Sequence, residues 1–315
     1  MWGKNQFDVD GKSVIIAGGS KGLGRELALQ LTQQGANVTI LARSAGPLEA
    51  TRTELLKHTT SPTQIITAKP LDLSDAPLVQ QYITSLPAPP EILFCVAGGT
   101  SSEIGFFADI SSSDIESCMR NNYLSAAYIA HAVFKRWVRE PPTSSNGSRH
   151  LIFTASTAAF LGLPGYAAYT PSKAATRALA DTLRAEALLY SSQQNIKIHC
   201  SFPGTIYTDT FYAEQAKKPA LLKEIEGTAE DKGGLSAEQV ASGILKGLKE
   251  GRFFIVTDGE TELVLNGMRG MSPRGGVLGL KDWVIGLVVL CVLPFVRMGW
   301  DRKTVRFGKE MLKQD

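Results

Sequence analysis

Cysteine is scarce, and the four present, Cys95, Cys118, Cys200 and Cys291, form no C-x-x-C pair. That spacing argues against a zinc site or a disulfide framework and predicts a reducing, cytosol-facing compartment. No block of Lys or Arg interrupts the main body, and a net charge of +3 is too small to suggest a nucleic-acid partner. Residues 1–10 are polar and predict no secretory leader. Disorder is excluded by composition, since 43% of residues are hydrophobic and only 20% charged. A chain of 315 residues has room for one large α/β domain and an appendage.

What is present is a regular alternation. Short apolar runs at 13–17, 37–42, 64–70, 91–97, 151–155, 196–202 and 253–257 read as strands. Between them, 25–34, 46–58, 76–85, 113–138, 169–191 and 237–250 read as helices. The order predicts a doubly wound, Rossmann-type parallel sheet of about seven strands, with helices on both faces and right-handed crossovers. Ligands then belong beyond the carboxyl ends of the strands. Residues 140–148, rich in Pro, Ser and Thr, read as a surface loop.

Ser156, Gly98 and Pro203-Gly204 all follow strands and so meet on that edge. The first strand runs into Gly18-Gly19-Ser20-Lys21-Gly22-Leu23-Gly24, a glycine turn opening a helix. Such a turn lets backbone N–H groups approach an anion closely. Ser156 closes the fifth strand, while Tyr169 and Lys173, four residues apart, share one face of the following helix. A hydroxyl, a phenol and an ammonium can thus converge on one carbonyl oxygen. The glycine turn also matches G-x-S-x-G, which would make Ser20 a nucleophile. That reading needs a histidine in a loop after a late strand, and none of His58, His131, His150 and His199 is placed so.

Taken together, these motifs resemble the short-chain dehydrogenase/reductase family over residues 10–260. Gly18-x-Ser20-x-Gly22-x-Gly24 resembles its cofactor turn, with Ala17 where a Thr is usual. Cys95-Val96-Ala97-Gly98 stands at its N-N-A-G, with both asparagines replaced. Asn122, Ser156, Tyr169 and Lys173 match the catalytic set, and Pro203-Gly204-Thr205 the turn holding the nicotinamide amide. The resemblance implies that Tyr169 is the general acid and that Lys173 lowers its pKa and binds the nicotinamide ribose. Ser156 would hold the substrate oxygen, and Asn122 a relay water. Asp72 and Leu73 resemble the pair that contacts adenine. Arg43 directly after the second strand, with Ala42 in place of an acidic residue and Lys21 nearby, favours a 2′-phosphate and hence NADPH.

Within the family the nearer resemblance is to the 3-ketodihydrosphingosine reductases. It rests on the glycine turn, Asn122-Tyr123-Leu124, Glu238-Gln239-Val240-Ala241, Asp258-Gly259, Gly267-Met268 and Met271-Ser272-Pro273. This implies NADPH-dependent reduction of a long-chain amphiphilic ketone by a homo-oligomer, dimer or tetramer. A reductase of a steroid or a long-chain 3-oxoacyl group, or a non-catalytic NADPH-binding scaffold, are the alternatives.

Two segments lie outside the motifs. Residues 209–236 are long for a connection and mix charge with Phe211, Tyr212, Leu221, Leu222 and Ile225, which predicts a mobile substrate lid with a short amphipathic helix. Within 277–315, residues 283–296 are fourteen without a charge, bracketed by Trp283 and Trp300 and followed by Arg297, Arg302, Lys303, Arg306, Lys309 and Lys313. This predicts a membrane-associating segment with a basic tail, or a buried core or dimer helix. The resemblance implies the endoplasmic reticulum membrane, with the 10–265 domain facing the cytosol.

Overall fold

Runs rich in Val, Ile, Leu and Phe form the strands of a computed structural model that describes residues 5–100, 103–140, 147–228, 233–274 and 279–311. Part of the predicted 140–148 loop, residues 229–232 of the lid and residues 277–278 and 312–315 of the tail lie outside these. The strands are β1 (Ser13–Ala17), β2 (Asn37–Ala42), β3 (Ile66–Pro70), β4 (Ile92–Cys95), β5 (Ser148–Thr154) and β6 (Asn195–Phe202). A two-residue pair, β7 (Ile206–Tyr207) and β8 (Leu235–Ser236), precedes β9 (Phe254–Val256). Seven strands form one parallel sheet in the order β3-β2-β1-β4-β5-β6-β9, as the alternation predicts.

The sheet is covered on both faces. Leu93, Phe153 and Phe202 point into one core with α3 (Ala76–Ser85), α5 (Ser125–Arg139) and α6 (Tyr169–Ala187). Phe94, Ile152 and Ile16 point into the other with α1 (Gly22–Thr32), α2 (Ala45–Leu56) and α9 (Ala237–Lys249). Adjacent residues such as Leu93 and Phe94 serve opposite cores because strand side chains alternate.

Three elements differ from the sequence-based expectations. The predicted 113–138 helix is α4 (Ser112–Met119) and α5, joined by a π-helical turn at Arg120–Leu124. The lid holds two helices, α7 (Asp209–Gln215) and α8 (Ala220–Glu226), and the β7–β8 pair clasps its two ends. Its Leu221 and Leu222 are buried. An unforeseen helix, α10 (Gly259–Met268), starts where Asp258 Oδ1 accepts the Thr261 N–H at 2.8 Å.

The apolar tail is one 32-residue helix, α11 (Leu280–Met311), which contains Pro294. It is long and apolar enough to cross a membrane, and only 11% of its most apolar stretch is buried. One side rests on α10, where a Cβ on Gly267 would lie 2.7 Å from Val289 Cγ1. Arg269 pairs with Asp282 at 3.4 Å across the same contact. The other side leaves Trp283, Leu287, Leu290 and Phe295 exposed.

Candidate active site

The glycine turn after β1 is shaped by close approach. Gly18 has φ of 101°, and a Cβ there would sit 2.5 Å from Ala97 N, so only glycine fits between β1 and the end of β4. The turn opens α1, whose first residues line a cavity of about 1030 Å³. Ser20, Lys21, Gly22, Leu23 and Gly24 line one end of it. Arg43 lines the same end and is exposed, within electrostatic reach of Asp72. Ser74 donates from both N–H and hydroxyl to Asp72 Oδ1 and, with Arg43, holds that carboxyl below its ordinary value. Leu73 completes this wall.

The reacting end is built at the tips of β5, β6 and α6. Ser156 caps a short 3₁₀ turn, its Oγ accepting the Ala158 N–H at 3.2 Å. The next residue ties this tip to β6, since the Thr157 N–H donates to Pro203 O at 3.1 Å. Pro203, Gly204 and Thr205 therefore border the same space. Tyr169 and Lys173 start α6, and the Lys173 Nζ donates to Thr154 O at 3.2 Å. Burial lowers the Lys173 amine to about 8.

The electrostatics of Tyr169 differ from the sequence-based expectation. Burial, reinforced by the nearby Glu214 charge, pushes its phenol above the ordinary value, and a hydrogen bond with Ser156 pulls only partly back. Lys173, 3% exposed and itself desolvated, does not offset this. The phenol is therefore held protonated at neutral pH, the state a general acid requires.

Asn122 also has a different setting from the one expected. It lies in the π-helical turn, is 1% exposed, and does not line the cavity that every other predicted site residue borders. Its Nδ2 donates to Gly99 O at 2.9 Å and Cys118 O at 3.1 Å, while Oδ1 accepts the Gly99 N–H at 2.8 Å. The side chain clamps the Gly98-Gly99 turn and leaves no N–H for a relay water.

Sequence reasoning missed two parts of the cavity wall. One is polar: Tyr166, Glu214, Lys218 and Glu226, from the α6 approach and the lid. The other is apolar: Val289, Val292, Leu293, Val296 and Trp300 of α11. Nothing in the periodicity of 283–296 separates a membrane-facing stripe from a cavity-facing one. Among the described residues, Ser20 has no histidine partner. His150 Nδ1 and His199 Nε2 lie 3.0 Å apart, and His199 Nδ1 is 2.7 Å from Arg252 O. Both rings are buried and bonded within the sheet, so the hydrolase reading fails.

The short chain dehydrogenase family model matches residues 12–219. The chain belongs to that family. It is 36% identical over 93% of its length to a 3-ketodihydrosphingosine reductase of Aspergillus fumigatus, of which it covers 84%. It is 33% identical to the PIGF/3-ketodihydrosphingosine reductase fusion protein of Schizosaccharomyces pombe, covering 98% of this chain and 60% of that longer protein. Among solved structures, a Burkholderia phymatum short chain dehydrogenase/reductase in complex with NAD has a TM-score of 0.66 at 22% identity, covering 80% of this chain and 90% of that one. A Sphingobium yanoikuyae short-chain dehydrogenase in complex with NADPH has 0.64 at 19%, covering 78% and 87%. In this member of the short-chain dehydrogenase family, Cys95 replaces the first asparagine behind β4 and is buried, its Sγ 3.8 Å from Ala126 O. Apolar packing thus stands where side-chain amides are usual.

Proposed function

We propose that this protein reduces 3-ketodihydrosphingosine to dihydrosphingosine with NADPH, as a step of sphingolipid synthesis. The observation that carries the reading is a single cavity with Ser156, Tyr169 and Lys173 on its floor and apolar α11 on its outer wall. Identity to curated 3-ketodihydrosphingosine reductases over nearly the whole chain supports the substrate.

The residues present fit a phosphorylated dinucleotide. At Gly18 any Cβ would strike Ala97 N, so only glycine lets the turn seat against the end of β4. The turn from Gly18 to Gly24 would hold the pyrophosphate, and Asp72 and Leu73 the adenine. Arg43 and Lys21 supply two cations where a 2′-phosphate is needed, which favours NADPH over NADH. Ala97, Gly98 and the turn from Pro203 to Thr205 would hold the nicotinamide end, with Lys173 on the ribose. NADPH, when bound, supplies the hydride.

The chain's own residues do the rest. Ser156 donates to the ketone oxygen as negative charge builds there. Tyr169 holds the proton that ends on that oxygen, and Lys173 positions the phenol from one helical turn away. Asn122 fixes the Gly98-Gly99 turn beneath them. Residues 10–265 act as the reductase domain, with 209–236 closing over the substrate.

The tail supports membrane association. Exposed Trp283, Leu287 and Phe295 suit lipid, and the basic residues after them suit an anionic leaflet. Residues 277–315 would hold the enzyme on the endoplasmic reticulum with its catalytic domain in the cytosol. Leu188 and Leu189, exposed beyond α6, offer apolar surface for a homo-oligomer, dimer or tetramer. The test is NADPH oxidation across 3-ketodihydrosphingosine, a steroid ketone and a long-chain 3-oxoacyl substrate. A preference for either of the latter two contradicts the reading.

A further inference from the structure

Tyr166 stands between the reacting phenol and a buried charge cluster. Its ring lies 5.4 Å from that of Tyr169, centroid to centroid. Its hydroxyl donates to Glu214 Oε1 at 2.7 Å and lies 3.0 Å from Glu226 Oε2. Lys218 Nζ pairs with Glu226 at 2.6 Å and Glu214 at 3.1 Å, with its side chain only 1% exposed. Thr100, just past the Gly98-Gly99 turn, donates to the remaining oxygen of Glu214. Glu214 is therefore fixed from the lid, from the α6 approach and from the turn after β4. All of these groups border the cavity that holds Tyr169.

The cluster carries two carboxylates against one ammonium. Lys218 is saturated: it meets both acids and lies over the Tyr166 and Phe211 rings at 5.6 and 5.5 Å. A single Lys–Glu pair would suffice to pin the lid. One ammonium shared by two acids leaves the cluster with a net negative charge on the cavity wall, which a ligand cation can complement. The substrate class proposed above brings such a cation, an ammonium on the carbon next to the reacting ketone.

We infer that Glu214, with Glu226 behind it, is the subsite that recognises the α-ammonium of the amino-ketone and so selects amino-ketones over plain ketones. The inference rests on the proposed function and names the head-group recognition within it. The ammonium and the ketone oxygen are neighbours in the substrate, and Glu214 and Tyr169 both meet Tyr166, the one by a hydrogen bond and the other by ring contact. The alkyl chain then lies along Val292, Val296 and Trp300 of α11, which line the same cavity.

The test compares three ketones of one chain length: the free 2-amino-1-hydroxy-3-ketone, its N-acetyl derivative and the analogue lacking nitrogen. Wild-type protein should prefer the free amine by about tenfold or more in kcat/KM, the scale of one charge-assisted hydrogen bond. Glu214→Gln should erase that preference, chiefly through KM for the amine, and Glu214→Asp should restore part of it. A Glu214→Gln protein that slows on all three ketones in parallel, with the preference intact, makes the carboxylate merely structural and overturns the inference. Wild-type protein that reduces all three equally overturns it too, while leaving the reductase reading standing; failure on all three defeats that reading instead. Should Glu214→Gln not fold, competition on wild-type protein decides. A long-chain primary amine should inhibit at least about tenfold better than the matching alcohol, and equal inhibition overturns the subsite.

Discussion

No methyl group fits at Gly98 between Asn122 and Lys173. A Cβ at Gly98 would fall 2.6 Å from Asn122 Oδ1 and 3.3 Å from Lys173 Nζ, and its φ of 149° already disfavours any side chain. Gly98→Ala should therefore displace the clamp or the lysine and cut kcat/KM by about a hundredfold, as small misplacements in a site do. Steady-state kinetics and NADPH titration check this; wild-type kinetics would mean that the turn tolerates more room than the geometry gives.

Cofactor choice turns on Arg43. Arg43→Ala should raise KM for NADPH by about tenfold while moving that for NADH little, because only the former carries the 2′-phosphate. Equal changes for the two cofactors would place Arg43 outside the phosphate site.

Lys173 gives a pH signature. Burial sets its folded value at about 8, below the ordinary 10.5, so between those limits the unfolded chain binds more protons. Stability from this site then rises with pH, because the buried ammonium costs the fold at low pH and the neutral amine does not. The unfolding free energy of wild type relative to Lys173→Met should thus improve from about pH 8 to 10.5. A flat or falling difference in denaturant titrations would mean that the lysine is not desolvated.

The C-terminal helix has two faces with separate consequences. Gly267→Val would drive a side chain into Val289 and Leu293, lifting α11 from α10. It should lower Tm by several degrees, corresponding to about 1–3 kcal/mol of overpacking, and weaken long-chain ketone reduction while sparing NADPH binding. Phe295→Glu, at a residue 72% exposed, should abolish vesicle flotation at unchanged Tm. Flotation retained by Phe295→Glu would contradict the lipid-facing assignment.

Much of this molecule is legible in its residues, and for identifiable reasons. The strands announce themselves because parallel strands buried on both faces must be continuously apolar, as Ile92–Cys95 is. The glycine turn and the spacing of Ser156, Tyr169 and Lys173 carry the site because they sit where strands end. Asn122 was legible as a site residue but not as a clamp, since its partners are backbone atoms brought close by a π-helical turn that leaves no periodic trace. The Glu214, Lys218 and Glu226 trio read as lid charge, because only the fold sets them against Tyr166. The position of α11 was equally hidden: an apolar stripe looks the same whether it meets lipid, core or cavity.

The most direct measurement is turnover by Tyr169→Phe on 3-ketodihydrosphingosine in vesicles, with NADPH oxidation and dihydrosphingosine followed together. The variant keeps the ring and loses only the transferable proton. Tyr169→Phe should lower kcat by about a thousandfold with an unchanged Kd for NADPH, while the wild type gives stoichiometric product. Near wild-type reduction by Tyr169→Phe would contradict the general-acid role of Tyr169.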